Sequence, residues 1–286
     1  MRTIRVLVTG AGAPGFLGTQ RSLVFNYDHR HIDIISTDME DDVYGKYHSK
    51  GFYQIPPATS DEYLDVITEI YDREEIDVLL PQNTMELEKL AKSEMNVCIS
   101  ENVWVANDKG LLYSVARECK VPIPKSMQIT GKVVVKPRIG HGSKGLHIIE
   151  VGEGLVSEFV EGQEYTVDCF RDDKQFVAVP RRRDKIKHGI SYKTTTENRE
   201  DLIEYSRRLA ETLDLRYAFG FQFIEDKLLE CNPRVQGTMI ASTYAGCNII
   251  YSAVKSALKE EVPELKPIWG VQTIRTSVCK PISLGS

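Results

Sequence analysis

The sequence has no CxxC pair and no Cys/His grouping at zinc spacing. Its six cysteines (Cys98, Cys119, Cys169, Cys231, Cys247 and Cys279) are scattered, mostly in apolar runs. That pattern excludes a zinc ribbon and a disulfide scaffold, and it fits buried thiols in a reducing cytoplasm. No apolar run approaches the roughly 20 residues of a membrane span. The opening MRTIRVLVTG is a short apolar strand followed by glycine rather than a signal peptide. A large excess of charge of one sign is missing as well. A net charge of −5 over 286 residues implies neither a nucleic-acid nor a membrane partner. Internal repeats, low-complexity tracts and the P-loop GxxxxGK[ST] are also missing. Apolar residues are plentiful: at 42% they support a buried core, and the length suits two modest domains.

Strands and helices alternate over the first hundred residues. Ile4 to Val8 reads as a buried strand, and a glycine loop from Thr9 to Gly18 leads into a helix reaching about Tyr27. A second strand spans Ile32 to Ser36 and ends at Thr37-Asp38. Asp61 to Arg73 is helical, with Tyr63, Ile67 and Ile70 at helix spacing and Asp61 a capping candidate. Ile76 to Leu80 is a strand, and Thr84 to Ser93 a helix. This is the βαβ pattern of a parallel sheet covered by helices. Asn107 or Asp108 caps a helix running to Cys119, which places a domain boundary near residue 104.

The glycine loop raises a rival function. Gly10-Ala-Gly12-Ala-Pro-Gly15 satisfies GxGxxG between a strand and a helix, and Asp38 ends the next strand where a ribose-binding acid belongs. An NAD(P)-dependent epimerase or reductase would meet both conditions. Against it, Tyr113 is followed by Arg117 where a Tyr-x-x-x-Lys pair is needed. Tyr251 and Lys255 have that spacing but lie near the C-terminus. The glycines otherwise serve only to permit a tight turn.

The second half carries four polar motifs. The stretch Phe219 to Gly237, FGFQFIEDKLLECNPRVQG, reads as a hairpin with Glu230 and Asn232 on one face and Gln222 across from them. Such an oxygen-rich patch suits Mg²⁺, and Arg234 suits a phosphoryl group. Lys136 ends a strand before a loop holding Gly140, Gly142, Ser143 and Gly145, whose backbone amides can wrap phosphate oxygens. The connector from Glu158 to Val160 can read an adenine edge, and Glu164 can take ribose hydroxyls. The run Pro180 to Gly189 is the only dense basic one, and it is either a solvated loop or an anion pocket. For each motif the bland alternative is an ordinary surface hairpin with solvated polar residues.

In this order the motifs resemble the ATP-grasp superfamily, and in particular the carbamoyl phosphate synthetase large subunit and its short stand-alone relatives. The ECNPR segment with upstream Gln222 is the most specific part. The resemblance covers essentially the whole chain. It implies an α/β fold, α+β in the second half. A Rossmann-like pre-ATP-grasp domain spans 1–104 and an ATP-grasp domain 105–286, with a glycine-hairpin lid over about 112–160. It further implies that Lys109 and Lys136 lie by the ATP phosphates, under Gly140, Gly142, Ser143 and Gly145. Glu158 and Val160 then contact adenine and Glu164 ribose. Gln222, Glu230 and Asn232 hold Mg²⁺, with Mn²⁺ as a substitute, and Arg234 and Lys136 act on the transferred phosphoryl group. One departure is Lys109, where the family would place arginine. Another is the single ATP-grasp unit, so the full synthetase reaction is not expected.

The expected activity is an ATP-dependent ligase joining a small carboxylate to an amine or another nucleophile through an acyl phosphate. Arg181, Arg182, Arg183, His188, Lys193 and Gly12 are the candidate substrate contacts. A homodimer is compatible with this reading. The alternatives are the NAD(P) enzyme and an ATP-binding subunit that works with a partner chain.

Overall fold

The structure, a computed structural model, describes residues 2–135, 137 and 146–276. β1 (Ile4–Thr9) is buried along nearly its whole length, as a strand covered on both faces must be. The glycine loop leads from it into α1 (Phe16–Val24), followed by β2 (Ile32–Asp38). A 3₁₀ turn, Tyr44–His48, precedes β3 (Gly51–Gln54), a half-exposed edge strand with no clear sequence signal. Then come α2 (Tyr63–Arg73), β4 (Val78–Leu80), α3 (Leu87–Leu90) and α4 (Val103–Asn107). The four strands form a parallel sheet in the order β3-β2-β1-β4. Asp61 does not cap α2, whose N-cap is Glu62 without a side-chain bond. The helix expected over Thr84 to Ser93 begins as a 3₁₀ turn, because Asn83 and Glu86 form a reciprocal capping box there.

α5 (Lys109–Glu118) is capped by Asp108, whose carboxylate accepts from the Leu111 amide at 2.9 Å. β5 (Ser126–Val135) and β6 (His147–Ser157) pair as a two-stranded ribbon. The remaining elements are β7 (Glu164–Arg171), β8 (Phe176–Lys187), β9 (Ile190–Thr196), α6 (Glu200–Thr212), β10 (Tyr217–Ile224), β11 (Lys227–Asn232), α7 (Ile240–Tyr244), α8 (Ile249–Ala257) and β12 (Gln272–Ile274). Their strands form a six-stranded antiparallel sheet in the order β11-β10-β7-β8-β9-β12. Gly246, at φ +84°, separates α7 from α8. Among the described residues no helix is long and apolar enough to cross a membrane.

Three cores divide the apolar residues. One lies between the two large sheets. There Val6 and Val8 of β1 and Leu80 of β4 face Phe170 of β7 and Val179 of β8, with α1 and α8 between them. A second packs α2 against the outer face of the parallel sheet through Leu7, Ile35, Tyr63 and Ile67. A third packs α5 and α6 against the outer face of the antiparallel sheet, where Phe219, Phe221 and Phe223 meet Leu112, Leu202 and Leu209. α8 is buried on all sides because it has a sheet above and below it. Its polar side chains are therefore paired: Lys255 donates to Asp28 at 2.7 Å and Tyr251 to the same carboxylate at 3.0 Å.

Among the described residues one ion pair is fully buried. The Arg181 guanidinium meets Asp168 in a bidentate pair, Nε to Oδ2 at 2.6 Å and Nη2 to Oδ1 at 2.8 Å. Ser242 of α7 donates to the same carboxylate at 2.5 Å. The pair joins β7 to β8 and ties α7 to the sheet. Truncating one partner strands the other charge away from water. Asp168→Ala is therefore expected to cost about 3–5 kcal/mol of folding stability, measured by urea unfolding, whereas an effect under 1 kcal/mol would show that the Arg181 charge is compensated elsewhere.

Candidate active site

Strand alternation brings the polar side chains of four strands onto one face of the antiparallel sheet. Asp168 and Glu164 come from β7, Arg183 from β8, Gln222 from β10, and Glu230 and Asn232 from β11. In register, Gln222 lies opposite Glu230 and Gly220 opposite Asn232. Gly220 has no room for a side chain: a Cβ there would lie 1.7 Å from Nε2 of Gln236, which is buried over it.

The contacts form a line across this face. Arg183 reaches Ser191 through Nε at 2.9 Å, the Gly189 carbonyl at 2.5 Å, Glu164 Oε2 at 2.7 Å and Gln222 Oε1 at 3.3 Å. Lys109, at the start of α5, pairs with Glu230 at 3.2 Å. Asn232 donates to Glu230 at 3.4 Å and accepts from Arg234 at 3.3 Å. Arg234 also donates to the Val235 carbonyl at 3.0 Å and, through Nε, to Thr84 Oγ1 at 3.0 Å. The line thus ends at the carboxyl end of β4, in the crevice where open α/β sheets bind ligands. Burial pushes the pKa of Arg234 down, against the pull of Glu86 and Glu230. Arg183 is lowered too, by burial first and the nearby Arg181 charge next. Both remain cations, and their attraction for an anion is screened less than it would be in water.

Lys136, Gly140, Gly142, Ser143 and Gly145 lie outside the described residues. Glu158 is held by Lys227 at 2.5 Å, and this partner lowers its pKa. Val160 is half-buried beside an exposed Phe159. Glu164 points its carboxylate at Arg183.

The basic run needs correcting. It is neither a loop nor a single anion pocket but the end of β8, and alternation sends its arginines to opposite faces. Arg181 is not placed to grip a substrate, because it is 1% exposed and consumed by Asp168. Arg182 points to the other face, where it pairs with Asp184 at 2.6 Å and with Glu197. Only Arg183 joins the line. His188 sits exposed in the β8–β9 turn at φ +49°, and Lys193 lies beside Asp184, whose pKa it helps lower. Neither is brought to the line by any described contact.

The glycine loop is engaged internally. The Gly12 amide donates to Asp38 Oδ2 at 2.7 Å, so the acid expected to bind ribose caps its own loop. A Cβ on Gly15 would come within 2.8 Å of Gly237 Cα, so the loop meets the other half backbone to backbone. The Gly12 amide and the Gly15 face of the loop are thus both taken by the chain itself.

The sequence reading missed several residues here. Thr84 and Glu86 are among them, although the N-x-x-E capping-box pattern at Asn83 marks the turn. Gln236 and Arg275 carried no local signal. Glu86 is buried and accepts from Thr9 Oγ1 and Tyr63 Oη, both at 2.5 Å, and from the Gln82 and Asn83 amides.

The oxygen set of Gln222, Glu230 and Asn232 fits a hard divalent cation, with one carboxylate and two amide carbonyls on one face. Among the described residues no cluster of three His, Cys, Asp or Glu side chains offers a transition-metal site.

Residues 150–277 match a family model described as "ATP-grasp in the biosynthetic pathway with Ter operon". Residues 7–101 match the model "PylC-like, N-terminal domain". Residues 150–277 thus match an ATP-grasp domain and residues 7–101 a PylC-like N-terminal domain. No curated protein matches the sequence. Solved structures agree on the ATP-grasp fold. The biotin carboxylase domain dimer of Hydrogenobacter thermophilus 2-oxoglutarate carboxylase, in complex with MgADP, ADP and bicarbonate, superposes with a TM-score of 0.70 at 14% identity over 94% of this chain and 73% of that one. N5-carboxyaminoimidazole synthetase from Staphylococcus aureus, complexed with ADP, gives 0.67 at 12% over 92% and 80%. Biotin carboxylase from Campylobacter jejuni gives 0.66 at 16% over 91% and 72%. The polar line lies on the inner face of the antiparallel sheet, between that sheet and the carboxyl ends of the parallel one.

Glu86 gives the site a pH signature. Burial raises its folded-state pKa above that of the unfolded chain, about 4.3. The folded protein then binds the Glu86 proton more tightly than the unfolded one does. Its contribution is fully present below the unfolded pKa and is lost as pH rises through the folded pKa. Glu86→Gln is expected to remove this decline, so the stability difference, variant minus wild type, should grow with pH above 4.5. Denaturant midpoints measured across that range check it, and a flat difference would contradict it.

Proposed function

We propose that this chain is an ATP-dependent ligase that activates a carboxylate as an acyl phosphate and couples it to an amine or another nucleophile. The observation that carries this reading is the line from Arg183 through Glu164 and Gln222 to Glu230, Lys109, Asn232 and Arg234. It sets three cations and one oxygen-rich patch on a single face, next to the crevice of the parallel sheet. Phosphoryl transfer needs positioning and charge neutralisation more than covalent help from the protein.

In this reading residues 1–104 form the wall carrying the glycine loop and residues 105–286 hold the nucleotide. Glu158 and Val160 lie at the adenine and Glu164 at the ribose. Gln222, Glu230 and Asn232 would hold Mg²⁺ or Mn²⁺, which supplies charge neutralisation to the phosphates when bound. A carboxylate oxygen attacks the γ-phosphorus, the bond to the bridging oxygen breaks, and ADP leaves. Lys136 and Arg234 face the charge that develops on the transferred group. The lone pair of the nucleophile then attacks the acyl carbon, the C–O bond to phosphate breaks, and phosphate departs. The proton lost by the nucleophile passes to the departing phosphate or to water.

Glu230→Ala and Asn232→Ala are expected to abolish ADP release, by more than about 100-fold, as the loss of a charge-stabilising group does. Thermal midpoints should hold within a few degrees, since both side chains are half-exposed. ADP release is measured over a panel of small acids and amines with Mg-ATP. Retained turnover by a folded Glu230→Ala protein would overturn the metal assignment. Stabilisation by NAD⁺ and none by Mg-ATP would overturn the ligase.

A further inference from the structure

A cavity of about 660 Å³ is lined by the glycine loop, α1, α7 and β12. Its size falls within the roughly 300–1,000 Å³ of clefts that hold drug-sized ligands, far more than a bicarbonate or a glycine fills. Two helices line it side by side. α1 contributes Leu17 and, one turn further along, Arg21; α7 contributes Ile240 and, one turn further, Tyr244. The helices meet at Gly18, where a Cβ would lie 3.2 Å from Ile240. The cavity therefore has two ends. One is glycine-lined, at Gly12 and Gly237, and Gly237 closely follows Arg234 in the chain. The other is the Arg21 and Tyr244 end.

The ends differ chemically. At the glycine end Arg275 donates to the Pro14 carbonyl at 2.5 Å and to the Gly237 carbonyl at 2.7 Å. Its Nε is buried with no acceptor among the described residues. Along the middle, Leu17, Ile240 and Ile274 are apolar and Tyr44 and Tyr192 aromatic. At the far end Arg21 is exposed and makes no ion pair or side-chain hydrogen bond among the described residues.

We propose that this cavity receives the acid substrate, and that the acid has an apolar or aromatic body with a second anionic group at its far end. The reactive carboxylate lies at the glycine end by Arg275, the body lies between Leu17 and Ile240, and the distal anion meets Arg21. The inference rests on the ligase reading for the fate of the carboxylate, but the binding it describes needs no ATP.

Four probes separate the features by calorimetric titration without nucleotide: 1,4-phenylenediacetate, 3-phenylpropionate, succinate and bicarbonate. The aromatic diacid should bind tightest, 3-phenylpropionate more weakly, and the other two not measurably. Arg21→Ala should weaken the diacid about tenfold, as loss of a charge-assisted hydrogen bond does, and leave 3-phenylpropionate unchanged. Ile240→Trp should abolish binding of both while Mg-ATP still binds; circular dichroism confirms its fold, and the exposed Arg21 site gives an independent test if it does not fold. Binding of succinate equal to that of the diacid, equal losses for both aromatic acids in Arg21→Ala, or no binding by any probe would overturn the inference. ADP release with bicarbonate alone would overturn it and leave the ligase standing. Tight diacid binding with no ADP release from any acid would uphold the cavity and count against the ligase.

Discussion

Two glycines facing each other set how closely the halves of the chain approach. Gly15 begins the turn into α1 and Gly237 follows the hairpin of β10 and β11, and a Cβ on Gly15 would come within 2.8 Å of Gly237 Cα. The rest of the site follows from that contact. It lets Arg234, attached to one sheet, reach Thr84 at the strand ends of the other. It also lets one guanidinium, that of Arg275, hold both glycine loops by their carbonyls. A side chain at Gly15 would push the loops apart and separate the charges that act together.

The polar line is held by pairs that a ligand must exchange. Glu230 is partnered by Lys109 and Asn232 by Arg234, so the cations lie beside the oxygens they would share with a phosphate. Such pre-positioning limits the reorganisation needed on binding, which is how low-dielectric sites stabilise charge efficiently. Beneath it the Asp168–Arg181 pair is sealed from water and gives the strands a fixed register. The same residue type thus has two roles on one strand: Arg181 fastens the sheet, and Arg183, two residues on, faces the site.

The sequence made much of this legible wherever a period or a spacing carried it. The parallel sheet followed from apolar runs alternating with helical patterns. The pairing of Gln222 with Glu230 followed from a two-residue alternation around a short turn. The basic run misled because composition does not carry direction: consecutive arginines on a strand point to opposite faces, and charge density alone cannot say which of them meets water. The long-range bonds of Glu86 and those of Arg275 were beyond reach for another reason. They join residues more than twenty positions apart, and only the fold brings those together. The edge strand β3 was missed because half-exposed side chains leave no apolar signature.

The shared core also has a consequence for biosynthesis. β1 and β4 emerge from the ribosome long before α8, yet their inner faces pack against that helix. Until residues 249–257 appear, the oldest sheet in the molecule lacks the helix that lies against it. Its strands must wait for that helix with apolar surface uncovered, a situation in which nascent chains are prone to aggregate. The long sequence separation between these contacts also predisposes the protein to fold slowly.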